Sequence, residues 1–445
     1  MSRFDDAFQK ITAAQALVLG FAILILIGTG LLSLPIATET GEPLPVLDAL
    51  FTATSAVCVT GLVVVDTGST FSTFGESVIM ALIQVGGLGF MTFGVLFALL
   101  LGKKIGIKER LIIQQSFHQI KLQGLVKLVL LVLAITLIIE SVGFTLLAIR
   151  WIPEWGWGEG LYLALFHTIS AFNNAGFDLF GDSLIGYVGD PIVNLTITSL
   201  FILGGIGFVV IAEVLQYRST KRLSLHTKLV LSVTGGLIVL GTLTILAIEW
   251  TNPETLAAMP LETKLLASFF QGVTPRTAGF STLDIADMYP ATQFFIILLM
   301  FIGASPSSTG GGIKTTTFII VLLAVWAMVR GKSDVVSFKR RVPHDQVYRA
   351  LAVLVVALSL IMIVTIFLTM TEHTDLMTSL FETVSAAGTV GLSLGLTSEL
   401  TPLGKLLITI TMFAGRLGPM TLAFAIARRI EKENIRYPEE KPLIG

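Results

Sequence analysis

One phrase occurs four times in this chain, and its spacing dictates the architecture. A phenylalanine is followed ten residues later by a glycine that ends a stretch of small residues. The copies run from Phe51 to Gly61 (FTATSAVCVTG), Phe166 to Gly176 (FHTISAFNNAG), Phe269 to Gly279 (FFQGVTPRTAG) and Phe381 to Gly391 (FETVSAAGTVG). The glycines lie 115, 103 and 112 residues apart, so the repeat fills all 445 residues. A fixed period reads as copies of one structural unit. Four equivalent glycine-bearing loops on one chain predict pseudo-four-fold symmetry around an axis. A narrow ring of backbone carbonyls on such an axis is how an ion-selective pore is built.

Hydrophobic residues make up 53% of the chain and charged residues 13%, against about 25% charged in soluble domains. This predicts a membrane protein. Apolar runs long enough to span lie at roughly 13–36, 76–101, 124–149, 192–215, 228–249, 291–328, 347–371 and 403–427, two per repeat. Between the members of each pair, a weaker apolar stretch ends at the repeated glycine. It is too short to cross about 30 Å of hydrocarbon at 1.5 Å per residue. It reads as a re-entrant half-helix, tolerated only inside protein or beside water. The predicted fold is an all-α membrane protein of four tandem span–re-entrant pore helix–span repeats, with eight transmembrane helices around a central pore. The repeats divide as 1–115, 116–222, 223–340 with a broken second span, and 341–445 including a cytoplasmic tail. The first span is too long for a signal-peptide core and is retained as mature structure. The single cysteine, Cys58, excludes an intramolecular disulfide and a Cys-rich metal site. His118, His167, His226, His344 and His373 match no ligand spacing.

Basic residues cluster between the repeats. Lys103, Lys104, Lys108, Arg110, Lys121 and Lys127 occupy the first connection, and Arg218, Lys221, Arg222 and Lys228 the second. Arg330, Lys332, Lys339, Arg340, Arg341 and Arg349 occupy the third, and Arg428, Arg429, Lys432, Arg436 and Lys441 the tail. With Arg3 and Lys10 these segments face the cytoplasm by the positive-inside rule, and so do both termini of this multi-pass cell-membrane protein. The opposite loops are acidic, with Asp48, Asp66, Asp178, Asp182, Asp190, Asp284, Asp287, Asp375 and Glu399 among them. A negative mouth concentrates cations within about a Debye length of 8 Å. The plainer alternative is that acidic outer loops merely follow from the positive-inside bias.

The residues before the four glycines share little side-chain chemistry. They are Val57-Cys58-Val59-Thr60, Phe172-Asn173-Asn174-Ala175, Pro275-Arg276-Thr277-Ala278 and Ala387-Gly388-Thr389-Val390. Unlike side chains make a poor coordinating ring, whereas backbone carbonyls need only a common chain path. Glycine supplies that path because it reaches φ > 0 without strain. The predicted K⁺ ligands are therefore main-chain carbonyls among Val57, Cys58, Val59, Thr60, Gly61, Asn173, Asn174, Ala175, Gly176, Arg276, Thr277, Ala278, Gly279, Gly388, Thr389, Val390 and Gly391. The half-helices turn their negative C-terminal ends toward the cavity, which favours a cation. The alternative is four packing glycines with no ion, but the constant ten-residue offset favours the filter.

The second spans carry a further echo, Gly86-Gly87-Leu88-Gly89-Phe90 and Gly204-Gly205-Ile206-Gly207-Phe208. Small residues there allow close helix packing. The fourth copy departs with Gly415-Arg416-Leu417-Gly418-Pro419, placing a charge inside an apolar span, which is by default a functional residue. The third departs further. A single helix over 291–328 would be about 57 Å long at 1.5 Å per residue, so it breaks at GASPSSTGGGIKTTT, residues 303–317. This stretch is not a phosphate-binding loop, since its lysine does not directly follow the last glycine and no strand precedes it. It reads as a loop across the pore below the filter. The predicted gate residues are Gly310, Gly311, Gly312, Lys314 and Arg416. The alternative is a rigid kink.

These features together resemble the superfamily of K⁺ transporters that includes the bacterial Trk and Ktr membrane subunits and the plant HKT proteins. The phrases carrying the resemblance are TSAVCVTGL at 54–62, FNNAGF at 172–177, PRTAGF at 275–280, AAGTVGL at 386–392 and GASPSSTGGGIKTTT at 303–317. The lack of spans before the first repeat favours the Ktr branch. The resemblance implies K⁺ uptake, a homodimer with one pore per protomer, and a cytosolic regulatory ring of RCK-type, KtrA-like subunits binding ATP or ADP. It also implies stimulation by Na⁺ as an activator. Glycine rather than serine at position 61 goes, in that family, with K⁺ preference over Na⁺ transport. A Na⁺-permeable or Na⁺/K⁺-cotransporting member is the alternative. No organic cofactor is implied on this chain, whose surrounding partner is membrane lipid and not nucleic acid. The basic segments 102–123, 216–227 and 330–346 suit a docking surface or ordinary topology equally. No enzyme is predicted: Glu140 and Glu213 stand isolated, without a nucleophile–base or metal cluster. A secondary transporter of inverted repeats is disfavoured by the common orientation of the four copies. A voltage-gated channel is excluded by the lack of a span with Arg at every third position.

Overall fold

The computed structural model describes residues 12–89 and 125–418, together with positions 92, 96, 111, 114, 421 and 440. Arg3, Lys10, the remainder of segment 102–123, the ends of the predicted spans beyond 89 and 418, and the basic tail from Arg428 lie outside the described residues.

The protein is mostly helical. The principal elements are α1 (Ala13–Leu32), α2 (Val46–Val57), α3 (Thr73–Leu88), α4 (Leu125–Phe172), α5 (Pro191–Ile206), α6 (Phe208–Thr220) and α7 (Leu225–Glu249). They continue with α8 (Leu261–Val273), α9 (Pro290–Phe301), α10 (Thr315–Val329), α11 (His344–Glu372), α12 (Leu376–Gly388) and α13 (Pro402–Leu417). Their starts are written in side chains. Thr12 and Gln15 form a capping box on α1, Asp190 caps α5, Asp375 caps α12 and Thr401 caps α13. Each cap satisfies N–H groups that have no partner inside the helix. α4 is interrupted at Gly156, with φ 80°, just after Pro153. A long apolar segment and a short helix ending at Phe172 result. A two-stranded hairpin, β1 (Val336–Ser337) and β2 (Arg340–Arg341), turns through Phe338 and Lys339, both at positive φ.

Segments Ala14–Leu32, Val126–Phe172, Leu225–Glu249 and His344–Glu372 are long and apolar enough to cross a membrane. Their outward faces are apolar, with Ile23, Leu137, Leu243 and Ile363 more than half exposed. The interior between them is rich in buried Ser and Thr. The helices after each repeated glycine are shorter. α3, α5 and α13 have 16 residues each, about 24 Å at 1.5 Å per residue.

Here the structure departs from the expectation of a single break in the third repeat. α3, α5 and α13 end at Gly89, Gly207 and Gly418, with φ of 81°, 100° and 81°. α5 and α6 meet at 94°, so the predicted span 192–215 is bent rather than straight. Gly207 makes the bend, since a Cβ there would lie 2.5 Å from the Pro306 carbonyl oxygen. The N–H of Phe208 then donates to Ser307 O at 2.8 Å. The break between α9 and α10 spans Ile302 to Lys314, overlapping the predicted stretch 303–317 with its ends one and three residues earlier.

The elements close into a ring. α3 packs against α2 and α4, α5 against α4 and α8, α9 against α12, and α13 against both α12 and α2. The last long element thus meets the first short one. The marker phenylalanines explain the closure. Phe166 belongs to the core built mainly by residues 21–83. Phe381 lies in the core of residues 245–300, and Phe51 in the core with Leu368, Ile408 and Met412. Each inserts into the core of the preceding copy. In the third copy Phe270 takes the fully buried place, with Phe269 packed beside it.

Candidate functional site

The four repeated glycines meet. A Cβ on Gly61 would stand 2.5 Å from the carbonyl oxygen of Ala175, and one on Gly176 would stand 2.8 Å from Gly279 Cα. A Cβ on Gly279 would stand 2.5 Å from Val390 O, and one on Gly391 2.3 Å from Thr60 O. The contacts run around a closed circuit in chain order. No side chain fits at any of the four positions.

The backbone path is common to all four copies. Gly61, Gly176, Gly279 and Gly391 have φ between 69° and 96°. Two residues earlier, Val59, Asn174, Thr277 and Thr389 have φ of 49°, 58°, 70° and 51°. The residues between, Thr60, Ala175, Ala278 and Val390, are not at positive φ. A strand sends successive carbonyls to opposite sides; alternating the sign of φ undoes that alternation and can bring successive carbonyls to one side. Non-glycine residues in this region cost about 1–3 kcal/mol each and persist only where the surroundings fix them.

Hydroxyls behind the path do the fixing. Ser55 Oγ accepts from the Gly61 N–H at 3.0 Å, and Ser385 Oγ from the Gly391 N–H at 3.1 Å. In the other two copies the hydroxyl donates instead. Ser170 Oγ donates to Phe177 O at 2.7 Å and Thr274 Oγ1 to Phe280 O at 2.5 Å. These four residues were missed from sequence, although Ser-Ala recurs four residues after the marker Phe in three copies. The third copy hides the pattern because Val273 holds that place and Thr274 substitutes.

The loop between α9 and α10 lies directly against the ring. Gly311 N donates to Thr389 Oγ1 at 3.0 Å, and Thr309 Oγ1 donates to Asn174 Oδ1 at 2.9 Å. A Cβ on Gly310 would strike Thr277 Oγ1 at 2.2 Å. Three of the four left-handed residues are thus in contact with the loop. Gly312, with φ 67°, packs against Gly388. Lys314 Nζ donates back to Gly310 O at 2.7 Å. Arg416 donates to the carbonyls of Thr309, Gly86 and Gly87, tying the loop to the end of α3. All five predicted gate residues are brought together.

The predicted filter residues divide by side chain. Val57 and Gly388 end their helices rather than joining the extended path, and Cys58 caps α2. Arg276 is buried and turned away, its Nη2 donating to Thr234 Oγ1 at 3.3 Å. Asn173 also points away, donating to Gln84 Oε1 at 2.5 Å. Gln84 in turn donates to Glu140 Oε2 at 3.2 Å. Glu140 is therefore not isolated. Nor is Glu213, whose Oε2 accepts from Ser224 Oγ at 2.8 Å and Thr227 Oγ1 at 2.6 Å.

Several of the acids expected in outer loops have structural partners. Asp48 pairs with Lys405 at 2.6 Å, Asp190 pairs with Arg150, and Asp66 accepts from Ser69 N at 2.7 Å. Asp178 follows Gly176 closely and accepts from the N–H groups of Phe180 and Gly181 at 3.0 and 2.9 Å. Burial pushes its carboxyl up to about 6, aided by Asp66 and Asp182 and opposed by the two backbone bonds.

A family model described as TrkH, cation transport protein, matches residues 4–437. The chain belongs to this family of cation transport proteins and is a multi-pass membrane protein. It is 50% identical to the Ktr system potassium uptake protein B of Bacillus subtilis, over 98% of this chain and 97% of that one. It is 41% identical to the protein of the same description from Vibrio alginolyticus, over 97% and 94%. It is 40% identical to the potassium/sodium uptake protein NtpJ of Enterococcus hirae, over 98% of each. The crystal structure of the potassium transporter TrkH from Vibrio parahaemolyticus shares the fold, with TM-score 0.71 at 19% identity, over 92% of this chain and 84% of that one. These relatives are transport proteins, not enzymes.

Proposed function

We propose that the chain is the ion-translocating subunit of a K⁺ uptake system. Four span–pore helix–span repeats, eight spans in all with the boundaries given above and both termini cytoplasmic, surround one pore. The ring of Gly61, Gly176, Gly279 and Gly391 carries this reading, because four backbones in one conformation meet where no side chain fits. K⁺ sheds water to carbonyl oxygens along Val59–Gly61, Asn174–Gly176, Thr277–Gly279 and Thr389–Gly391, and α2, α4, α8 and α12 end toward it with their negative poles. The loop Ile302–Lys314 closes the path beneath the filter. Arg416 and Lys314 hold it there and oppose a cation at the same depth. The carbonyl contacts of Arg416 support this, since breaking them frees the loop from α3. The chain acts as a homodimer under a nucleotide-binding RCK-type cytosolic subunit, with Na⁺ as stimulator. The printed description "Ktr system" of its relatives supports a multi-component assembly.

The 40% identity to a potassium/sodium uptake protein favours one second reading, transport of both ions. Flux into proteoliposomes separates them and tests the filter. Wild type is expected to pass K⁺ far better than Na⁺. Gly279→Ser, whose Cβ meets Val390 O, is expected to reduce K⁺ flux by at least ten-fold and collapse discrimination. Unchanged flux in the variant removes Gly279 from the ion path. Equal wild-type K⁺ and Na⁺ flux favours the second reading.

A further inference from the structure

The described face opposite the acidic loops holds a cavity of about 360 Å³ lined by Tyr217, Lys221, Arg222, Leu223, Lys228 and Arg340. Three chain segments build it: the end of α6, the start of α7, and the hairpin β1–β2. Four of its six lining residues are cationic, and none is acidic. Among the described residues, Lys221, Lys228 and Arg340 form no ion pair; the pairs on this face go to Asp334, from Arg341 and His344. Glu213, on α6 itself, is engaged by Ser224 and Thr227. Like charges gathered this way repel unless an anion joins them.

The surroundings of the cavity are apolar and aromatic. Lys221 Nζ stands 5.9 Å over the Tyr217 ring, and Lys228 Nζ 5.7 Å over that of Phe338. Tyr217, Phe338, Val336 and Leu215 are all more than 40% exposed. Nearby on α10, Arg330 stacks 4.4 Å over an exposed Trp326. Exposed aromatics mixed with cations mark the headgroup level of a bilayer. A free phosphate ion needs the cations but not the apolar rim; a phospholipid uses both. Basic pockets between helix ends on the cytoplasmic side suit anionic headgroups.

We propose that this cavity binds the phosphodiester headgroup of an anionic phospholipid of the inner leaflet, held by Lys221, Lys228 and Arg340. The assignment rests on the cytoplasmic orientation proposed above but not on the filter. The hairpin forms one wall of this arrangement, turning tightly through Phe338 and Lys339 with φ 47° and 59°. A headgroup bridging Arg340 to Lys221 and Lys228 clamps the connection between α10 and α11 to the bent helix α6.

The test uses the full chain purified in neutral detergent. Retention of phosphatidylglycerol against phosphatidylcholine is read by native mass spectrometry, and melting temperature is read with each lipid added. Wild type is expected to retain phosphatidylglycerol preferentially and to melt higher in its presence. Removing the charges as Lys221→Gln, Lys228→Gln and Arg340→Gln is expected to weaken retention roughly five-fold per charge. The same triple variant should melt like wild type in phosphatidylcholine, which excludes misfolding as the cause. Equal retention by the triple variant overturns the proposal. So does full reproduction of the melting shift by inorganic phosphate alone, which would make this a free-anion site. A variant that keeps its lipid but loses capture of an acidic cytosolic partner overturns it in favour of protein docking. The readout does not involve ion flux, so a failed filter leaves the result interpretable.

Discussion

Ser55 and Ser385 perform the same task 330 positions apart, each accepting the N–H of a glycine of the central ring. A buried donor left without its acceptor costs about 1–3 kcal/mol. Ser55→Ala is therefore expected to lower unfolding stability by that amount and to loosen K⁺/Na⁺ discrimination. Paired melting and competitive flux measurements check it, and intact selectivity with lowered stability would confine the hydroxyl to folding. Asp178 gives a pH dependence. Its carboxyl is raised to about 6 by burial, so it is ionised above that pH and neutral below. With the proposed orientation, lowering external pH from 7.5 to 5 removes one negative charge close to the glycine ring. Cation uptake is expected to fall about two-fold through pH 6 by loss of local attraction. Asp178→Asn keeps an oxygen for Phe180 and Gly181, and its flux should be low and flat across that range. The sequence shows the residue scale unevenly. Gly61, Gly176, Gly279 and Gly391 are legible because positive φ with no room for a Cβ selects glycine. Val59, Asn174, Thr277 and Thr389 share the same left-handed backbone and are illegible, because the surrounding contacts, not their own chemistry, impose it.

At the scale of elements, one contact recurs in three copies. A Cβ on Gly86 would lie 2.0 Å from Val57 O, on Gly204 1.9 Å from Phe172 O, and on Gly415 2.3 Å from Ala387 O. Each carbonyl lies four residues before a ring glycine. In these three copies the second helix thus presses its backbone against the end of its own short helix and sets the height of the glycine ring. Alanine at Gly86, Gly204 or Gly415 forces the two helices apart, and overpacking of this kind costs typically 1–3 kcal/mol. Thermal melts of the three variants should fall together, with Gly235→Ala, which meets nothing within 4 Å, unchanged as control. Hydropathy reveals that α1, α4, α7 and α11 exist, since length and apolarity are all a span needs. It does not reveal the 94° bend between α5 and α6. Gly204-Gly205-Ile206-Gly207 reads as a packing motif, and only the distant carbonyl of Pro306 makes Gly207 a corner. The loop after α9 was legible because its proline and polar residues interrupt the apolar run over many positions.

For the molecule as a whole, closure of the ring joins opposite ends of the chain. Lys405 and Asp48, both mostly buried, pair at 2.6 Å across 357 positions. Nothing local in the sequence announces the pair, and Asp48 reads there simply as one of the acidic loop residues. Lys405→Met is expected to destabilise by about 1–3 kcal/mol, leaving a mostly buried carboxylate alone. The double variant Asp48→Asn, Lys405→Met should recover part of that loss in a double-mutant cycle, and strict additivity would show that the pair carries no coupling. The same closure governs how the protein is made. Phe51 is completely buried, yet the residues that bury it include Leu368, Leu396, Ile408 and Met412. While the ribosome is still translating, the first quarter of the molecule waits in the bilayer with its aromatic anchor unseated. Only when the final quarter is inserted does the beginning acquire its other wall. A message shortened by a few dozen codons near its end thus strips the wall from around Phe51, in the part of the product made first.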